Sequence, residues 1–311
     1  MMSDYLLKNG KVLLFQPNKD KIDVTIEEKE ILVQKGKIVK IETIIEKNQY
    51  PNAEVIDATN CVIMPGLINT HAHIPMSLFR ESTEGCKLYD WLENKIWPQE
   101  DKLTEEDVYY ASMLSFIEMI STGTTCINDQ YFLQDAIRKA AEDMGVRAVL
   151  TRTVIGEKEE AEKRIAEFRK FYETRDKQND LITYTVAPHS LYTCSPEALQ
   201  MTADLAKELN LPIHVHFLES VDEIEDIKQK QGEKASKVLK KYFDGIHTIL
   251  AHAVHLDDED IAILKNMDCG IAHNPVSNLR LGCTIADTTK YLQNNLNVAL
   301  RNRWTRFTVA I

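Results

Sequence analysis

His71 and His73 stand directly behind the apolar run Cys61-Val-Ile-Met-Pro-Gly-Leu-Ile-Asn69, and no other residues of this chain say as much about chemistry. Side chains two apart on a strand point to the same side, so two imidazoles leaving a buried strand in this way can close on one ion. Neutral imidazole is the commonest protein ligand for a divalent transition metal. Taken alone, the pair fits equally well as two surface or core histidines in a loop. Three more histidines follow later apolar runs: His189 in Val-Ala-Pro-His-Ser, His216 in His-Val-His-Phe-Leu-Glu219, and His252 in Leu-Ala-His-Ala-Val-His. Five of the nine histidines thus end such runs, where residues without a common task would be scattered. Three histidines on one ion leave room for a water, whose pKa a divalent metal lowers towards neutrality. Glu219, the only carboxylate immediately adjacent to one of these histidines, can shuttle the proton, and His252 can orient or deprotonate the water. The pattern implies metal-assisted hydrolysis. Plainer readings stay open for each residue: a core histidine for His216, as His214 more readily is, a solvated loop acid for Glu219, and a local hydrogen bond for His252. His273 ends the seventh run with its role open.

An ion at that place needs elements that bring distant side chains to one point. From residue 62 onward, apolar runs alternate with amphipathic stretches. Strands are expected over 62–67, 124–128, 147–152, 183–187, 212–217, 248–253, 270–272 and 297–300, and helices over 105–121, 157–174, 196–209 and 257–266. Eight runs alternating with helices predict an α/β fold, a (β/α)8 TIM-like parallel barrel closed by crossovers. Parallel strands covered on both faces read as continuous apolar runs, as these do. An open doubly wound sheet competes, but no glycine-rich phosphate turn follows the first strand. Functional residues of a parallel barrel sit at the C-terminal ends of its strands, which is where the five histidines fall. The first sixty residues read as short strands with glycine-containing turns. Residues 1–61 are therefore expected to form a small β domain, and 62–311 the barrel. A sheet of that size is marginal alone and is expected to need partner strands.

Composition narrows the class. The 311 residues are 44% hydrophobic and 27% charged, ordinary values for a globular enzyme. A net charge of −11 argues against nucleic acid or an anionic membrane as partner, because phosphate binding needs clustered Lys and Arg. The lysines of 228–241 alternate with acids at helical spacing and read as a solvated face. No apolar run reaches ~18 residues, so no membrane span is expected, and the start lacks a secretory profile. Six scattered cysteines without Cys-x-x-Cys spacing fit reduced thiols in a cytoplasmic protein. They also exclude the compact zinc deaminases built on Pro-Cys-x-x-Cys. A homo-oligomer is compatible with this composition but not specified by it.

Pro65-Gly-Leu-Ile-Asn-Thr-His-Ala-His73, Asp90-Trp-Leu-Glu-Asn-Lys-Ile-Trp-Pro98, His214-Val-His-Phe-Leu-Glu219 and His273-Asn-Pro-Val-Ser-Asn278 resemble the amidohydrolase superfamily. Within it they are most similar to the 5-methylthioadenosine/S-adenosylhomocysteine deaminases. The resemblance runs from near the N-terminus to Leu300. It implies one divalent metal ion held by His71, His73 and His216, zinc first and iron second, since histidine suits both. It also implies Glu219 as proton shuttle and His252 as the residue holding the attacking water. Glu100 would accept from the ribose hydroxyls, Arg152 would meet the amino-acid carboxylate, and His189 would face the adenine. These roles suit an anionic acceptor for a diol and a guanidinium fork for a carboxylate, although surface charge is the plainer reading of Glu100 and Arg152. The implied reaction is hydrolytic deamination of the adenine ring of a small nucleoside. A guanine deaminase or triazine hydrolase type of amidohydrolase is the second reading, and an inactive metal- or nucleoside-binding remnant the third.

One departure follows Leu300. In the family the resemblance points to, strand eight ends in Gly-Thr-Asp-Gly, whose Asp binds the metal. Here Arg301-Asn302-Arg303-Trp304 follows, and no carboxylate occurs after Asp287. Codons for these four residues can begin Gly-Thr-Asp-Gly when read one position later. The expectation is a frameshift at that junction, with the last helix and the C-terminal strands missing and activity impaired. The DNA sequence across the junction tests it directly.

Overall fold

The computed structural model describes residues 3–18, 21–80 and 85–300. It contains two compact units that divide after Gly66. The first is built of two small sheets. In one, Glu30–Gln34 pairs antiparallel with both Tyr5–Lys8 and Lys37–Glu42, and Glu54–Asp57 adds in parallel to Tyr5–Lys8. In the other, Lys11–Asn18 pairs antiparallel with Lys21–Glu28 and parallel with Val62–Ile63. The hydrophobic centre of the first unit is small: Leu6, Leu32, Ile45 and Ala53. Gly10 is required between these sheets, because a Cβ there would stand 2.7 Å from Ile63 Cδ1 and 2.9 Å from Ala58 Cβ.

The second unit is the α/β barrel expected from the alternating runs. Its strands are β1 (Leu67–Ala72), β2 (Thr124–Asp129), β3 (Arg147–Leu150), β4 (Ile182–Tyr184), β5 (Ile213–Phe217), β6 (Thr248–His252), β7 (Cys269–His273) and β8 (Asn297–Leu300). All ladders are parallel: β1 to β2, β2 to β3, β3 to β4, β5 to β6, β6 to β7 and β7 to β8. Short continuations of β3 and β4, Thr153–Val154 and Ala187–Pro188, also pair in parallel. Bridges Val186–Ile213 and Ser190–His216 join the fourth strand to β5. Thr70 Oγ1 donates to the Leu300 carbonyl at 3.3 Å, which brings β8 back to β1.

The first barrel strand differs from the reading of its apolar run. It covers Leu67–Ala72, not 62–67. Val62–Ile63 is taken by the ladder with Lys11–Val12 in the first unit, and Pro65-Gly66 follows. Proline has no N–H for a ladder, so the chain can re-enter a sheet only beyond it. His71 therefore lies inside β1 and His73 just after it.

Helices between the strands start on local signals. Thr104 caps Glu105–Ser121 in a capping box with Asp107, and Asp257 does the same with Asp260 for Asp258–Leu264. Ser195 caps Pro196–Leu209 with proline at the first helical position. The segment 88–100 is less regular. Two short α-turns flank a π-helical stretch, Leu92–Ile96, before Pro98. Such wide turns re-aim side chains and recur at functional sites.

β5, β6 and β7 form the wall on which the site rests. Leu250 is fully buried in β6, registered between Val215 and Ile271. Leu250→Ala should lower unfolding free energy by about 2–5 kcal/mol, through lost burial plus an uncollapsed cavity. A fall in the urea midpoint at unchanged slope is the expected measurement.

Candidate metal centre and adjoining cavity

Imidazoles from three strands meet at one end of the barrel. One ring nitrogen each of His71, His216 and His252 lies within 4.8 Å of the others. His73 joins them, with Nε2 3.1 Å from His216 Nε2. The hydrogen bonds at the far side of these rings decide their tautomers. His73 Nδ1 is 2.5 Å from the Gln130 carbonyl, and His216 Nδ1 is 2.8 Å from the His189 carbonyl. A carbonyl oxygen only accepts, so both Nδ1 atoms carry the proton. In neutral rings both Nε2 atoms are then lone pairs, and two lone pairs 3.1 Å apart repel each other. A cation between them resolves the conflict. Two nitrogens about 2.1 Å from a tetrahedral ion stand roughly 3.4 Å apart, close to the spacing seen. The residues present therefore fit a divalent ion.

His71 completes the arrangement from β1. Its Nδ1 is 2.9 Å from His214 Nε2, while its own Nε2 is buried without a hydrogen-bond partner among the described residues. Burial is the chief reason its pKa falls well below the usual 6.5, with His73, His216, His214 and His252 adding to the effect. Burial likewise takes His214 down to about 3. His71 and His214 are thus kept neutral, the form in which imidazole binds metals.

His252 Nδ1 is 2.7 Å from Asn278 Oδ1 and 3.1 Å from Glu219 Oε1, so the acid and the imidazole are in direct contact. His252 and Ala253 have φ of +76° and +45°, a conformation that side chains bearing a Cβ rarely adopt. It is held by Ala253 N donating to the Phe217 carbonyl and Tyr291 Oη donating to the Ala253 carbonyl. Leu218, at φ +47°, turns the chain out of β5 so that Glu219 follows His216 into the site. Glu223 locks that turn by accepting from Leu218 N at 2.9 Å and Glu219 N at 2.7 Å. Burial raises the Glu223 carboxyl to about 7, against the opposing pull of these N–H groups.

A cavity of about 580 Å³ opens from the cluster. His73, His216, Glu219 and His189 line one part, and Trp91, Leu92, Trp97 and Phe132 supply apolar wall. Glu100 lines it, and so do Arg152 and Arg164. His189 is held by Thr193 Oγ1 at 2.9 Å, and its ring centroid is 4.7 Å from that of His216. Burial raises the Glu100 carboxyl to about 7, opposed by the Tyr131 hydroxyl and supported by Asp101. All eight residues singled out from the sequence thus border the cluster or its cavity. His273 does not line the cavity, and Arg301–Trp304 lie outside the described residues.

Sequence reasoning passed over several participants. His214 looked like core, yet it holds the back of His71. Asn278 closes one of the motifs quoted above, yet had no assigned role. Ser220-x-x-Glu223 has the spacing of a capping box, which would flag Glu223, although its side chain reaches past the cap to the preceding turn. Arg164 sits among alternating helix charges and reads as solvated.

A profile of the amidohydrolase family matches residues 62–301, and the chain belongs to that family. The family is metal-dependent, in keeping with the imidazole cluster. The chain is 42% identical over 280 residues to a 5'-deoxyadenosine deaminase of Methanococcus maripaludis (strain C7), covering 88% of this chain and 66% of that protein. It is also 42% identical over 299 residues to a 5-methylthioadenosine/S-adenosylhomocysteine deaminase of Carboxydothermus hydrogenoformans, covering 95% and 67%. The chain therefore spans about two thirds of the length of these curated relatives. Among solved structures, an adenosine deaminase from Xanthomonas campestris with bound zinc superposes with a TM-score of 0.83 at 25% identity, covering 96% of this chain and 68% of that one. An atrazine chlorohydrolase from Arthrobacter aurescens TC1 complexed with zinc gives 0.85 at 21%, covering 95% and 71%, a likeness of fold. Among the described residues no helix is long and apolar enough to cross a membrane.

The chain should take up one divalent ion, and His71→Ala or His216→Ala should abolish uptake. His214→Phe removes the partner of His71 Nδ1 and should weaken metal affinity by about 10–100-fold. Competition against a chromogenic chelator measures both, and unchanged affinity in all three variants would refute the assignment.

Proposed function

We propose that this protein hydrolytically deaminates the adenine ring of 5'-substituted adenosines, with S-adenosylhomocysteine and 5-methylthioadenosine as the substrates. The observation that supports this most is that one cavity is lined by the imidazole cluster, by Glu100 and by the guanidiniums of Arg152 and Arg164. Ring chemistry would take place at the first, the ribose diol would meet the second, and a carboxylate tail the third. A bare ring such as guanine or a triazine would leave Glu100, Arg152 and Arg164 without a task. Relatives named for deamination of 5'-deoxyadenosine and of the two thio-nucleosides add support.

His71, His73 and His216 would hold the ion. Zinc is proposed, because three imidazoles with an open position suit it and both solved relatives hold it. Iron shares the donor preference, and metal analysis of the purified protein distinguishes the two. A bound divalent ion supplies a water whose pKa lies near neutrality. His252, braced by Asn278, holds that water in line. His189 faces the ring. Water adds to the amino-bearing carbon, and Glu219 passes protons to the ring nitrogen and then to the departing amine, giving the inosyl product and ammonia. Glu223 keeps the Glu219 backbone in place throughout.

Calorimetric titration with either nucleoside should show binding. Glu219→Gln should lower ammonia release by about 10²–10⁴-fold while leaving affinity within a few-fold, because the group acts on the transition state. Nucleosides that neither bind nor release ammonia would overturn the proposal. Affinity should also follow the ionisation of Glu100. The charged carboxylate accepts from both hydroxyls of a diol, and more strongly than the protonated carboxyl, which has one acceptor oxygen fewer; burial raises its pKa to about 7. Binding should therefore weaken as pH falls through 7, and 2',3'-dideoxy analogues should lose that dependence.

A further inference from the structure

Four charges gather at and behind one part of the cavity wall, near enough for Arg164 to act on the His189 ring. Arg152, beyond β3, and Arg164, on the helix Lys158–Glu173, both line the cavity. Arg152 Nε donates to Glu167 Oε2 at 2.7 Å, and Arg164 Nε donates to Glu160 Oε1 at 2.6 Å. Neither glutamate lines the cavity. Residues 160, 164 and 167 share one face of their helix, since positions four and seven apart align. Two cations and two anions cancel before a ligand arrives.

Each glutamate meets its guanidinium at Nε, and Arg152 Nη1 also donates to the Thr153 carbonyl at 3.1 Å. A guanidinium has five N–H donors, so terminal donors remain for a ligand on the edge away from the glutamate. The side chains of Arg152 and Arg164 are only 12% and 23% exposed. Covering two such cations with an uncharged tail would strip their water and leave them without a counter-ion, which is costly. The glutamates remove that cost. They also act against an anionic tail: a carboxylate on the opposite edge of a guanidinium would lie roughly 7 Å from the glutamate. That is inside the Debye length of ~8 Å at physiological salt, so the repulsion is felt.

We propose that Glu160 and Glu167 set the charge selectivity of this cavity, holding its arginine-lined part neutral so that uncharged and carboxylate-bearing 5' substituents are both accepted. This rests on the nucleoside reading above and assigns the residues that tune it. Glutamine keeps an oxygen to accept from each Nε, so replacement removes charge while preserving the orientation of the fork.

The test uses Glu160→Gln, Glu167→Gln and the double variant of the full chain, titrated calorimetrically with 5'-deoxyadenosine and with 5'-S-(3-carboxypropyl)-5'-thioadenosine, whose tail carries a carboxylate and no ammonium. In the double variant the nucleoside with the carboxylate-only tail should bind about 10-fold more tightly at low salt. Each single variant should give a smaller gain, and 5'-deoxyadenosine should not gain. The gain should shrink in 1 M NaCl, where the Debye length is ~3 Å. Equal tightening of both ligands, no tightening of the charged one, or a gain that survives high salt would each overturn the inference. If neither nucleoside binds the unaltered chain, the functional reading itself falls and takes this with it. Two bound nucleosides with an unchanged affinity ratio in every variant would sink this inference alone.

Discussion

The opposition of two lone pairs organises the functional end of this molecule. His73 and His216 give their Nδ1 protons to backbone carbonyls, so their Nε2 atoms face each other at 3.1 Å with nothing to donate. Those carbonyls belong to Gln130 and His189, residues that themselves follow strands of the barrel. The ring orientations are thus set by the sheet and not by the rings. A closed parallel sheet can impose such a conflict because its strands are held on both sides and its core is close-packed. An open sheet edge or a mobile loop would let the two rings rotate apart.

Burial shapes the electrostatics around that point in opposite directions for opposite charges. It keeps His71, His189 and His214 neutral by penalising the cation. It raises Glu100 and Glu223 to about 7 by penalising the anion. Glu223 illustrates how a buried acid is used structurally: two backbone N–H groups replace its water, and in return the turn at Leu218 is pinned. The strained backbone at His252 and Ala253 belongs to the same economy of constraint. Neighbouring strands over-determine a conformation that an isolated segment would avoid.

Much of the framework was legible before any coordinates. Apolar runs of strand length, spaced by amphipathic stretches, point to the alternating barrel; seven of the eight runs coincide closely with its strands, and the first shares only Leu67 with β1. The first run is displaced for an identifiable reason. Continuous hydrophobicity from Cys61 to Ile68 hides a change of sheet at Pro65-Gly66, and hydrophobicity alone does not record which ladder a residue joins. The imidazoles were legible because they follow such runs, which in a parallel barrel is a statement about position in space. His214 was not. A histidine packed behind another has the same sequence context as one in an ordinary core. Arg164 and its glutamates look like a solvated helix stripe until the helix is docked, since exposure is a property of the neighbour.

Composition, run length and capping residues determined the α/β class, the alternation and the few histidines and acids worth watching, because each of these depends on contacts close along the chain. Which nitrogen carries the proton and which carboxyl is held near 7 were decided only by tertiary structure. Those properties depend on acceptors and burial supplied by residues tens to more than a hundred positions away, such as His71 and His214, 143 residues apart. No local pattern encodes such distances.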